Sequence, residues 1–190
     1  MTATAKASIA GAAGVTPFTP CTLGRRAAGG WRPYRSLHVI DLESLADAVD
    51  ASGTGRRVRA WAPDRLLRQA WAEYAQEVGI QRGDHALVGL RSGRCGRLAD
   101  LLAASGAQLR VAPDARGVRA ELAGSVDVRH AARRFDCLVI AGGCQEFAVL
   151  AAEALASGMR VWHVGGSSPA SATGVPRIRW ARLLRVRTAA

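Results

Sequence analysis

The segment from Phe135 to Gly165 constrains the fold more than any other part of the chain. It opens with FDCLVIA, the most apolar run present, turns at GGC, continues as QEFAVLAAEALASG and closes with MRVWHVG. A short apolar run bounded by turn residues suits a strand buried on both faces. In the middle piece Phe147, Leu150, Ala151, Ala154 and Leu155 recur at helical spacing and form an inner face. A strand, a helix and a second strand in that order make a βαβ unit, whose two strands run parallel.

The same alternation runs through the upstream half. Residues 36–41, SLHVID, predict a first strand, and DLESLADAVD after it places Leu42, Leu45, Ala46 and Val49 at helical spacing. Residues 51–57, ASGTGRR, read as a loop. Residues 63–78 predict the clearest helix, with Pro63 and Asp64 in its first turn and Gly79 as its stop. Its stripe of Leu67, Ala70, Trp71, Tyr74 and Val78 indicates core packing. Trp71 and Tyr74 could also stack bases, but this spacing favours the core.

HALVGL (85–90) predicts a second strand, RSGRCG a loop, and RLADLLAASG a short helix ending at Gly106. AQLRVAP predicts a third strand, ARGVRAELAGS a loop, and VDVRHAARR a helical turn. The whole predicts a Rossmann-like three-layer α/β fold with a mainly parallel sheet of about five strands. Residues 1–34 are expected as a disordered tail, 35–166 as the domain, and 167–190 as a loop, a last strand and a basic tail. Such sheets bind ligands beyond the carboxyl ends of their strands, at the switch point. The residues that follow strands are therefore the candidates: Asp41, Ser44, Arg91 to Arg97, and Gly142 to Glu146.

Charge narrows the partners. The net charge is +11, which points toward a polyanion such as RNA or DNA. Of the 26 basic residues 25 are arginine, beside abundant Ala and Gly, so part of the excess matches the coding bias of a GC-rich genome. No apolar run approaches the roughly 18 residues of a membrane span. The first residues lack the apolar core of a secretory signal. Cys21, Cys95, Cys137 and Cys144 show no CxxC pairing and no histidine at zinc spacing, so free thiols in a reducing cytoplasm are expected.

Three pieces carry a resemblance. HVIDLESL, with Asp41 at the strand end, resembles the opening strand of the NYN domain family, relatives of PIN-type nucleases; Ser44 stands where that family has Asn. FDCLVIAGGCQEF resembles the family's later strand and turn, usually LVIASGD: Gly142 stands for Ser, Gly143 for Gly, Cys144 for Asp, and Glu146 falls near a second Asp. GSVDV is similar to a segment that supplies another acid, here Asp127. The likeness covers residues 36 to 166. It implies a PIN-like, metal-dependent ribonuclease in which carboxylates hold Mg2+ or Mn2+ and activate water. Asp41 and Asp127 would ligate the metal, Glu146 would join them in catalysis, and Ser44, Arg91, Arg94 and Arg97 would contact RNA.

The departures define the alternatives. A thiol at Cys144 is a soft ligand and a poor one for Mg2+. Asp41 equally suits an N-cap, Asp127 equally caps VDVRHAARR, and Glu146 equally faces solvent. A catalytically inactive RNA-binding or regulatory module on the same fold is therefore the second reading. The third is a cysteine hydrolase, because a Cys144 thiolate would be favoured at a helix N-terminus. HVIDLES and AGGCQEF also resemble isochorismatase-like cysteine hydrolases, but the lysine of their triad has no counterpart except Lys6, in the tail. His163 could serve as a base, yet it lies inside a predicted strand, as a half-buried core residue would. Gly142 and Gly143 lack a following GK[ST], and the chain has no GxGxxG, so neither phosphate-loop motif is present. RIRWARLLRVR (177–187) carries five arginines and no acid, and reads as an edge strand with a basic tail. The sequence leaves homo-oligomerisation open.

Overall fold

The alternation of apolar runs with helical stripes is realised as a parallel sheet covered on both faces. The computed structural model describes residues 24–27, 30–47, 64–94, 96–142, 146–165 and 177–179. In chain order the elements are β1 (Gly24–Ala27), β2 (Gly30–Pro33), β3 (Ser36–Asp41), α1 (42–47) and α2 (Asp64–Tyr74), which runs on as a π-helical turn, Ala75–Gly79. Then come β4 (His85–Arg91), a 3-10 turn (Ser92–Arg94), α3 (Gly96–Ala104), β5 (Gln108–Ala112) and α4 (Ala115–Gly124). The series ends with α5 (Val128–Arg134), β6 (Cys137–Ala141), α6 (Ala148–Ala156), β7 (Arg160–Gly165) and β8 (Arg177–Arg179).

Six strands form the main sheet in the order β5-β4-β3-β6-β7-β8, and every pairing in it is parallel. This is the Rossmann-like α/β arrangement, its five expected strands, β3 to β7, joined by a last one, β8. Leu37 pairs with His85 and Leu138, and Ile40 with Val88 and Ala141. The chain runs outward from β3 through β4 to β5, then returns to place β6 on the other side of β3. The order therefore reverses between β3 and β6, and their carboxyl ends flank the switch-point crevice.

Strand parity sorts the core into two layers. Ile40, Val88, Leu90, Val139 and Val164 pack with Leu42 and Leu45 of α1, Leu67 and Tyr74 of α2, and Leu98 and Leu102 of α3. Leu37, Val39, Leu87, Leu138 and Ile140 pack with Val118 and Leu122 of α4, Val128 of α5 and Leu150 of α6. Trp71 and Tyr74 are buried in the first layer, as their spacing indicated. Tyr74 also carries a polar role there: its hydroxyl lies 2.9 Å from His38 Nδ1, and His38 Nε2 lies 3.6 Å from Asp84 Oδ2.

Three elements differ from expectation. ARGVRAELAGS, expected as a loop, is the helix α4. Asp114 caps it by accepting from the Gly117 amide at 2.7 Å, and Val118 and Leu122, one turn apart, bury against β4. Gly89 of β4 makes room, since a Cβ there would lie 2.5 Å from Val118 Cγ1. Secondly, the long helix over 63–78 is α-helical only to Tyr74 and finishes as the π turn. Thirdly, β1 and β2 lie within residues 1–34, expected as disordered. They pair antiparallel, from Gly24 opposite Pro33 to Ala27 opposite Gly30. A short antiparallel pair bonds the inward-facing backbone groups of its two strands to each other, a local interaction that mean hydropathy does not report. The expected last strand in RIRWARLLRVR is β8, parallel to β7; the rest of that stretch and the other tail residues lie outside the described residues. Among the described residues no helix is long and apolar enough to cross a membrane.

Candidate functional site at the carboxyl edge

Asp41 ends β3 at the crevice and is 2 % exposed. Its parity along β3 turns it toward the α4 side, the side taken by Leu37 and Val39. Asp41 Oδ1 accepts from the Ser44 amide at 3.1 Å, and Oδ2 accepts from the Ser44 hydroxyl at 2.7 Å. Asp41 is thus the N-cap of α1, and Ser44 is the partner that the cap uses. The same carboxylate meets a cation: Arg119 Nε of α4 donates to Asp41 Oδ2 at 2.9 Å. Arg119 Nη1 in turn bonds Glu146 Oε1. One guanidinium therefore joins the acid at the end of β3 to the acid just before α6. Burial opposes the charged form of Arg119, but its bonds to Asp41 and Glu146 prevail and raise its pKa above the ordinary arginine value.

Backbone fit holds the two strand ends together. Gly142 follows β6 at φ 114°, and a Cβ there would lie 2.8 Å from Asp41 Cβ and 3.0 Å from the Asp41 carbonyl oxygen. Only glycine combines that backbone with that approach. The Gly142 amide donates to the Val164 carbonyl at 3.0 Å, and buried His163 lies with Nε2 2.9 Å from the Gly142 carbonyl oxygen. A carbonyl only accepts, so this nitrogen is the protonated one. His163 is thereby a brace for the turn, with Nε2 committed as a donor. Gly143 and Cys144, expected in this turn, lie outside the described residues.

A second ion pair lies beside the first. Glu43 of α1 accepts from the Arg91 amide at 3.0 Å and from Arg91 Nε at 2.6 Å, and Arg91 Nη2 completes the fork. The hydrogen bond that Arg91 donates to Glu43 raises the Arg91 pKa, with burial opposing it. Arg94, expected beside Arg91 on a phosphate path, is instead buried, with Nη1 3.7 Å from Asp64. Arg97 is exposed on α3 and has no ion pair among the described residues. Of the three arginines expected to hold RNA phosphates, two brace the protein itself.

Asp127 is not part of this constellation. It caps α5, its Oδ1 accepting from the His130 amide at 3.0 Å. That hydrogen bond lowers its pKa. It lines a cavity with Leu37, His85 and Gln108, at the starts of β3, β4 and β5, so it lies at the amino edge of the sheet. Four residues of strand separate Leu37 from Asp41, about 13 Å at the usual rise. Asp41 and Asp127 therefore cannot share one ion. Among the described residues no group of three or more His, Cys, Asp or Glu side chains is placed to hold a metal. Asp41 and Glu146 do converge, but the charge between them is a guanidinium. The residues do not fit the expected Mg2+ or Mn2+ centre.

Sequence reasoning missed Arg119 and Glu43. Arg119 was hidden by reading 115–125 as a loop; the available signal was Asp114 ahead of the Val118–Leu122 pair. Glu43 sits two residues after Asp41, in a position that carried no signal until β4 was placed beside β3.

The sequence matches no protein-family model and no curated protein. Among solved structures it is similar to an aminotransferase from Mycobacterium tuberculosis at 16 % identity, over 74 % of this chain, with a TM-score of 0.24. This chain spans 44 % of that one. A likeness at that level carries no argument about fold or chemistry.

Proposed function

We propose that the chain is a catalytically inactive RNA-binding module of the cytoplasm, built on a PIN-like variant of the Rossmann-like fold. The observation that carries this reading is the Asp41–Arg119–Glu146 bridge. Hydrolysis in the resembling nucleases needs a divalent ion that polarises a bound water and accepts charge. A guanidinium can donate to two carboxylates at once, yet it stays protonated and offers no vacant coordination position. With Asp127 at the opposite edge, the two acids that remain already share one guanidinium, which offsets one of their two charges and occupies an oxygen of each.

Charge distribution supports the binding half of the proposal. Residues 1–33 hold four basic side chains and no acid, and residues 166–190 hold five and none. Nine of the eleven net positive charges therefore lie in these two end segments, Arg177 and Arg179 of them in the edge strand β8, while the charges of residues 34–165 nearly balance. Basic segments beside a neutral fold suit backbone binding driven by counterion release.

The test is fluorescence anisotropy with labelled single-stranded RNA, beside a gel assay for cleavage with added Mn2+. Binding that survives EDTA, weakens steeply between about 50 and 200 mM salt, and leaves the RNA intact is the expected result. Metal-dependent cleavage that disappears in Asp41→Asn would overturn the reading in favour of a ribonuclease. Absence of RNA binding at low salt would overturn it altogether.

A further inference from the structure

At the carboxyl edge Arg91 and Arg119 are held in ion pairs, and the structure carries open space at the other end of the sheet. A cavity of about 370 Å3 lies at the amino edge, between the starts of β3, β4 and β5 and the α4–α5 side. This volume falls within the range that takes small ligands. Leu37 and Leu87 give it an apolar wall, while His85 and Phe135 line it with rings inclined by 24° and 6.3 Å apart at their centroids.

Two guanidinium groups line the same cavity. Arg110 Nε donates to the Ser125 hydroxyl at 2.8 Å, and its other nitrogens donate to the Leu109 carbonyl and to Gln108 Oε1, each at 3.2 Å. All these partners are neutral, so the group is oriented while its charge stays uncompensated. The Arg134 guanidinium carbon lies 5.7 Å from the centre of the Phe135 ring. Neither arginine has an ion pair among the described residues, in contrast to Arg91 and Arg119 at the carboxyl edge. The acid on the wall, Asp127, is committed to capping α5.

We propose that this amino-edge cavity binds a nucleotide unit, its base against Phe135 and His85 and its phosphate on Arg110 and Arg134. A planar ring system with an anionic group matches an aromatic and apolar wall beside two guanidinium groups that no carboxylate pairs among the described residues, since arginine holds phosphate through its N–H groups and aromatic rings accept any base by stacking. Gln108 and Ser125 add hydrogen-bonding groups at the rim. The nucleotide is either a free nucleoside monophosphate or an unpaired nucleotide of single-stranded RNA. The second source rests on the RNA-binding reading, and the first does not.

The experiment is calorimetric titration of the full chain with AMP, with adenosine, with inorganic phosphate and with a short oligo(A). Arg134→Gln, Phe135→Leu and Phe135→Tyr are compared after thermal melting shows that each folds. AMP is expected to bind more tightly than adenosine or phosphate. Arg134→Gln should weaken it roughly tenfold or more, and Phe135→Leu roughly 5- to 150-fold, with Phe135→Tyr restoring it. Arg134 is exposed, so its variant tests the site even where Phe135→Leu fails to fold. Binding of AMP without oligo(A) keeps the cavity and removes the RNA-binding reading. Binding of oligo(A) without AMP, unchanged in Arg134→Gln, overturns the cavity proposal and leaves that reading standing. Binding of neither removes both.

Discussion

Arg119 Nε lies 2.9 Å from Asp41 Oδ2 although 78 residues separate them in sequence. The pair ties α4 to the end of β3 and fixes what the switch point can do. Removing the guanidinium leaves a carboxylate that is 2 % exposed with only the Ser44 bonds. Arg119→Met should therefore destabilise the fold by about 2 kcal/mol. This is below the cost of breaking a fully buried pair, because Arg119 is 23 % exposed. Adding Asp41→Asn should recover part of the loss. Urea denaturation of both single variants and the double variant measures the coupling, and strict additivity would mean that the contact contributes nothing.

The same substitution bears on metal binding. The wild-type protein should take up no Mn2+ in the micromolar range, because the Arg119 guanidinium stands between Asp41 and Glu146, bonds an oxygen of each and repels a second cation. Arg119→Ala leaves two converging carboxylates without their cation and should gain Mn2+ affinity, lost again when Asp41→Asn is added. Calorimetry reads this directly. Tight Mn2+ binding by the wild type would show that the guanidinium yields to the ion.

Much of the fold was legible because parallel strands buried on both faces are continuous apolar runs, and SLHVID, HALVGL and CLVIA are such runs. The crevice followed from their order. What escaped was long-range: Gly117 disguised α4, whose evidence is a cap at Asp114 and two buried residues one turn apart. With α4 unread, Arg119 had no position, and the acids looked free to hold a metal. Asp127 illustrates the converse. Its motif match and its capping role were equally readable from sequence, and only the placement of α5 at the amino edge separates them.

Gly142 tests the backbone fit at the crevice. Alanine there faces both a positive φ and a Cβ 2.8 Å from that of Asp41. Gly142→Ala should cost about 1–3 kcal/mol and lower the melting temperature, with the strain falling on the Asp41 turn. An unchanged melting temperature would show that this turn relaxes freely.

Asp84 predicts an acid limb. Burial raises its pKa, but the His38 bond and the backbone amides of Gln81 and Ser36, at 2.9 and 2.7 Å, outweigh this and leave it below the ordinary 3.8. A folded pKa below the unfolded one contributes stability above the unfolded value and loses it as pH falls through the folded one. Stability should therefore drop below about pH 4, and Asp84→Asn should flatten that drop while lowering stability at pH 7. Denaturation curves between pH 3 and 7 check both, and an acid limb unchanged in the variant would assign it to other carboxylates.

Cys137 gives the sharpest chemical readout. It begins β6, is 1 % exposed, and burial pushes its thiol up to about 11. Only the thiolate attacks an alkylating agent, so near pH 8 access and ionisation both protect it. Iodoacetamide at pH 8 should leave the Cys137 peptide unmodified in the native protein and label it fully in urea, as read by mass spectrometry. Rapid native labelling would mean that the edge between β3 and β6, where Ser36 pairs with Cys137, opens far below the global unfolding free energy.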